Sequence, residues 1–137
     1  MKVYQDEFEI KTSKRTEIID ITSEVEGYVR KNKVKTGICN VFVPHATAAV
    51  MFNENEDGMV EDIKDKIKKD FPSGLGYRHD RIDDNADSHL ASSFLGQSKV
   101  IPIKDNKLLR GTWQQIFLIE LDGPRNSRKV IVTMIGE

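Results

Sequence analysis

The chain carries three histidines, each in a polar or loop-edge setting: His45 in PHATA, His79 in YRHDR and His89 in DSHLA. Neutral imidazoles from three separate segments can build a catalytic zinc site with one position open for water, because folding brings distant loops together. No paired ligand spacing of the HExxH kind is present, so the same residues also read as hydrogen-bonded loop anchors or as unrelated surface side chains. A histidine acting as a general base is the other functional option.

His45 interrupts a run that would otherwise be core. In VFVPHATAAVMFNENED, residues 41–57, the apolar stretch is broken by Pro44, His45 and Thr47 and ends in a dense polar knot. Glu56 and Asp57 suit the start of a following helix, where acids complement its dipole. Asn53 and Glu54 continue the strand that begins beside Thr47 and are expected at the same end of the sheet as His45. There Glu54 could orient an imidazole, take a proton, or simply remain a solvated charge.

A second constellation lies in GTWQQIFLIELDGPR, residues 111–125. Trp113, Gln115, Phe117 and Ile119 alternate with Gln114, Ile116, Leu118 and Glu120, so Gln114 and Glu120 share a face with apolar neighbours. A glutamate in so apolar a strand needs a partner, and Arg125, just past the Asp122-Gly123-Pro124 turn, is the expected one. The functional alternative makes Arg125 a bidentate anchor for phosphate and Glu120 its orienter or an acid/base. Gly111-Thr112 offers either backbone donors to a ligand or a glycine bulge.

These side chains need a scaffold. YQDEFEIKT (4–12) and TEIIDIT (16–22) read as strands joined in an opening hairpin around Ser13-Lys14-Arg15. Ser23 with Glu26 three residues on predicts a capped helix bearing Val25, Tyr28 and Val29. Strands follow at 36–43 and 47–53, then a helix over 57–71 with Met59, Val60, Ile63, Ile67 and Phe71 on one face. Residues 77–87 lack apolar periodicity and read as a surface loop, and 88–96 as a short helix with Leu90, Ala91, Phe94 and Leu95 inward and Gly96 as its stop. Strands at 98–103, 108–121 and 128–137 complete the chain. The expectation is one α+β domain over residues 1–137, largely antiparallel sheet with about three short helices, whose exposed sheet edges invite oligomerisation.

Composition narrows the function classes. At 137 residues the chain fits a single core, and no stretch approaches the roughly 18 apolar residues of a membrane span. No secretory or transit segment is apparent, so a cytoplasmic location is expected. Lys and Arg (21) nearly balance Asp and Glu (22), which removes the case for non-specific nucleic-acid binding. The lone cysteine, Cys39, lies in an apolar strand and reads as a buried thiol rather than a nucleophile.

Taken together, PHATAAVMFNENED, DDNADSHLASSFLG and LLRGTWQQIFLIELDGPRNSRKVIV resemble the YjbQ-like family, which is associated with secondary thiamine-phosphate synthase activity. The likeness spans essentially the whole chain. It implies an α+β fold that forms a homotrimer, with shared polar residues clustered in a cleft near the subunit contacts. By motif, that cleft would hold His45, Thr47, Asn53, Glu54, His79, Asn85, His89, Trp113, Gln114, Glu120 and Arg125. Within it the resemblance implies catalytic roles for His45, Glu54, His89 and Glu120, and substrate contacts from Thr47, Asn53, Asn85, Trp113, Gln114 and Arg125. His45, His79 and His89 would hold a divalent metal, zinc or magnesium. Some members have a second Thr where Ala46 stands and a further His where Asp87 stands, so Asp87 is left to coordinate, to cap a helix, or to do neither. The expected substrate is a small phosphorylated or anionic metabolite, the alternative being a non-catalytic protein that binds such a ligand or a metal.

Overall fold

The strands sort onto two sheets. A computed structural model describes every residue from Met1 to Glu137. In chain order the elements are β1 (Lys2–Ile10), β2 (Glu17–Asp20), α1 (Thr22–Lys31), β3 (Thr36–Phe42), β4 (Ala48–Asn53), α2 (Asp57–Asp70) and a 3-10 turn (Arg78–Arg81). These are followed by α3 (Ala86–Leu95), β5 (Ser98–Lys104), β6 (Lys107–Leu108), β7 (Gln115–Glu120) and β8 (Arg128–Gly136). One antiparallel sheet has the order β1-β8-β3-β5-β6 and the other β2-β7-β4. The fold is therefore the α+β class with mostly antiparallel sheet that the sequence predicts.

Two cores explain the arrangement. Cys39, Val41, Val130, Val132 and Met134 of the large sheet meet Ile21, Val25 and Val29 of the α1 region and Val50, Ile116 and Leu118 of the small sheet. On the other face of the small sheet, Ala49, Phe117 and Ile119 meet Ile63 and Ile67 of α2 and Ala91 of α3. The small sheet is thus covered on both faces, and β7, its central strand, is buried from Ile116 through Glu120. That is why IFLI reads as a continuous apolar run instead of an alternating one.

Several local expectations change. The opening hairpin does not form: β1 pairs with β8, whereas β2 pairs with β7 in the other sheet. Sequence proximity favours a hairpin only when both strands bury the same face, and these bury against different layers. Ser23 is not the cap of α1. The Asp20 carboxylate accepts from the Thr22 amide (2.9 Å) and hydroxyl (2.6 Å), while Glu26 pairs with Arg110 at 3.0 Å. At α2, Glu56 is the N-cap, accepting from Gly58 and Met59 N–H. The strand expected over 108–121 is broken, with residues 109–114 forming an irregular segment between β6 and β7.

Helix α3 begins at Ala86 and turns outward two of the residues expected inside. Phe94 is 77% exposed and Leu90 is exposed over about a third of its surface (37%), while Ser88, Ala91 and Ser92 face the sheet. Small residues let the helix come close, and their hydroxyls satisfy strand carbonyls: Ser92 donates to Ala48 O at 2.6 Å, and Ser88 donates to Leu121 O.

Candidate functional site

The end of the small sheet where β4 begins and β7 finishes carries a buried ion pair. Ala48 stands opposite Glu120, and Thr47 lies just before it. Arg128 opens β8 on the inward face, in phase with Val130, Val132 and Met134. Glu120 is 0% exposed and Arg128 2%. The guanidinium grips the carboxylate through Nε (2.9 and 3.1 Å) and Nη2, and Nη2 also donates to Thr47 O (3.1 Å) and Oγ1 (2.9 Å).

Thr12 Oγ1 (2.7 Å) and the Asp122 amide (3.0 Å) donate the remaining hydrogen bonds to Glu120. Burial pushes the Glu120 carboxyl up, but the Arg128 and Thr12 hydrogen bonds and the Asp122 N–H outweigh it and hold the pKa below its ordinary value. Glu120 is therefore an ionised, fully engaged anchor between two sheets. Its partner is Arg128, not Arg125 as the sequence suggested.

Arg125 sits in the loop between β7 and β8, with its own amide held by Thr12 Oγ1 at 2.8 Å. Its Nε donates to Asp122 O and its Nη2 to Asp122 Oδ2, both at 2.9 Å. The half-exposed guanidinium keeps its remaining N–H groups free. Asp122 Oδ2 also accepts from Asn85 Nδ2 at 2.8 Å, so Asn85 and Arg125 meet on one oxygen. Asp87 neither caps α3 nor stands free: Arg15 clamps it through two hydrogen bonds of 3.0 and 3.1 Å, and this carboxylate raises the Arg15 pKa.

His45 lies against the same network. Its Nε2 accepts the Lys129 N–H at 2.8 Å. Burial lowers its pKa, followed by the positive charges of Arg128 and Arg125 acting against Glu120. A backbone N–H can only donate, so the neutral ring carries its proton on Nδ1. His45 accordingly offers a donor to a ligand, and its one acceptor nitrogen is already in use.

His79 and His89 form a separate pair, ring centroids 4.5 Å apart and nearly edge to face. No three His, Cys, Asp or Glu side chains of the chain gather as a metal-ligand set. The three-histidine centre is thus not assembled within one chain: two imidazoles pair, and the third is spent on Lys129.

Asn53, Glu54, Trp113 and Gln114 lie elsewhere. In the β4–β7 register Ala48 faces Glu120 and Asn53 faces Gln115. Six strand residues at about 3.3 Å each set these ends on the order of 17 Å apart. The expectation that Asn53 and Glu54 join His45 at one end is corrected, because a strand carries its two termini to opposite edges. At this far end Gln114 Oε1 accepts the Gly111 N–H (2.6 Å) and Gln114 N donates to Gly111 O (3.0 Å), closing a turn that presents Trp113 at 69% exposure.

Comparison with known proteins places this geometry. The model of the UPF0047 protein YjbQ-like family matches residues 6–137. The chain belongs to the YjbQ-like UPF0047 family. A UPF0047 protein of Methanothermobacter thermautotrophicus is 44% identical, over 100% of this chain and 95% of its own, and one of Archaeoglobus fulgidus is 49% identical over 92% and 97%. Among solved structures, a YbjQ-like protein of unknown function from Sulfolobus solfataricus is 48% identical with a TM-score of 0.98 over 99% of both chains. A hypothetical protein from Aeropyrum pernix is 38% identical with a TM-score of 0.94 over 98% and 99%.

In this YjbQ-like chain the network also recruits Arg128, Thr12, Asp122 and Arg15, to which the sequence pattern assigns no site role. Arg128 had a usable signal: it falls on the inward phase of an otherwise apolar strand. Thr12, Asp122 and Arg15 had none, since only tertiary contacts recruit them.

Proposed function

We propose that the Arg125 end of the small sheet is the active site of an enzyme acting on a small phosphorylated metabolite. The observation that carries this reading is the convergence of Arg125 and Asn85 on Asp122, beside a neutral His45 and above the buried Arg128–Glu120 pair. Arg125 offers a planar, permanently charged donor set for phosphate oxygens. His45 Nδ1–H adds a neutral donor, favoured by the burial that lowers the ring's pKa. Donors held rigidly where charge accumulates are what departure of a phosphate or diphosphate requires.

Joining hydroxymethylpyrimidine diphosphate to a thiazole phosphate is compatible with such a site. A C–N bond forms while the C–O bond to diphosphate breaks, so charge neutralisation matters more than proton removal. The reading includes a homotrimer, in which the Asn53, Glu54, Trp113 and Gln114 end of one subunit approaches the Arg125 end of the next. The exposed Trp113 and an apolar row across the large sheet support association between copies.

Turnover of phosphate esters and diphosphates by wild type, Arg125→Ala and His45→Gln is the test. The variants should lose at least about 100-fold in kcat/KM with unchanged melting temperature. Full turnover in both would sink the reading.

A non-catalytic protein holding a phosphorylated ligand or a divalent ion, zinc or magnesium, is the second reading, supported by the paired His79 and His89 rings. It predicts stoichiometric binding without product. Metal content of the natively purified protein, lost in His79→Ala/His89→Ala, checks its metal form.

A further inference from the structure

The turn Arg78–Arg81 and the start of α3 line an open pocket of about 580 Å³ that includes neither Arg125 nor His45. Arg78, Arg81, His79 and His89 supply its polar wall, Tyr77 and Leu90 part of its carbon surface, and no acid lines it. The arginine ion pairs of the chain engage Arg15, Arg30, Arg110, Arg125 and Arg128. Arg78 and Arg81 are left without a counter-charge.

The acids of the neighbouring sequence are turned away or occupied. Asp80 Oδ1 accepts the Ala86 N–H at 2.8 Å, Arg15 holds Asp87, and Asp83 and Asp84 are exposed outside the lining. Meanwhile His79 Nε2 is buried with no partner, although buried ring nitrogens are nearly always hydrogen-bonded. Two unpaired guanidiniums disfavour a dication beside the paired imidazoles. They favour an anion, and the lining brings two guanidiniums and two imidazoles, all N–H donors, around one pocket. The volume exceeds one phosphate group.

We infer that this pocket is a second anion subsite, taking the phosphate or diphosphate of a small organic ligand whose carbon part lies on Tyr77 and Leu90. For the ligand's nature the inference rests on the proposed function; for its location it stands on the Arg78, His79, Arg81 and His89 cluster alone. The lining has no carboxylate to offer a cation and four side chains able to donate to an anion.

Calorimetric titration with inorganic diphosphate at constant ionic strength tests it, on wild type, Arg78→Gln/Arg81→Gln and Arg125→Ala, with zinc titrated separately. Both altered arginines of the double variant are exposed, so its melting temperature should match wild type. The expected result is at least 10-fold weaker diphosphate binding in the double variant, with diphosphate-induced NMR shifts at the His79 and His89 rings that the double variant loses and Arg125→Ala keeps. Unchanged affinity in the double variant, loss confined to Arg125→Ala, binding of zinc but not diphosphate, or no binding by wild type would each overturn the subsite. Turnover measurements on Arg125→Ala judge the proposed function separately.

Discussion

The Glu120–Arg128 pair shows how much a single residue's setting decides. Removing one partner of a buried pair leaves the other charge uncompensated, so Glu120→Gln is expected to cost about 3 kcal/mol in denaturant unfolding. Glu120→Leu/Arg128→Met should recover most of that stability yet lose the polar floor of the site, separating folding from function. Acid exposes the same logic. His45 binds its proton less readily folded than unfolded, so stability is fully present above its ordinary pKa of 6.5 and begins to fall as pH drops below that value. Glu120, also depressed, adds a further loss as pH falls from 4.5 through its folded pKa. Melting temperature against pH should show both windows, and His45→Gln should remove only the upper one. Cys39, whose thiol burial pushes up to about 12, should stay inert to alkylating reagents until the protein unfolds.

Among the elements, two glycines separate packing from propensity. A Cβ at Gly123 would stand 2.1 Å from Lys14 O and 2.8 Å from Glu120 Cγ. Gly123→Ala should therefore cost about 1–3 kcal/mol and disturb the Arg125 loop. At Gly27, in α1, nothing lies within 4 Å of an added Cβ, so Gly27→Ala should stabilise by about 0.5–1 kcal/mol. Thermal unfolding of the pair, moving in opposite directions, checks both. The helices were legible because Val25 and Val29, and Ile63 and Ile67, repeat at helical spacing and each buries one face. Helix α3 was less so: its inward face uses Ser88 and Ser92, whose burial is made tolerable by carbonyls on other segments, and no periodicity in the helix itself reports that.

Across the whole molecule, the outer face of the large sheet carries an apolar row. Val3 faces Ile135, Ile135 faces Ile38, and Ile38 faces Pro102, spanning four strands, with Val100 and Phe42 nearby. Exposed contiguous apolar surface of this kind is what association between copies covers. If the protein is a homotrimer through this face, Ile38→Glu should reduce the mass measured by light scattering from three chains to one with its fold retained. An unchanged trimer would move the interface elsewhere. No helix is long and apolar enough to cross a membrane.

The sequence by itself determined the α+β class, most strand and helix positions, and the residue types of the site, because periodicity and turn chemistry act over a few residues. It also marked Glu120 as needing a partner. Only the tertiary structure decided that the partner is Arg128, that β1 and β2 part into different sheets, that Asn53 and His45 sit at opposite ends of one small sheet, and that His79 pairs with His89 alone. Those outcomes depend on strand register and on which layer covers which face. Both arise from contacts between residues far apart in the chain, where local pattern carries no information.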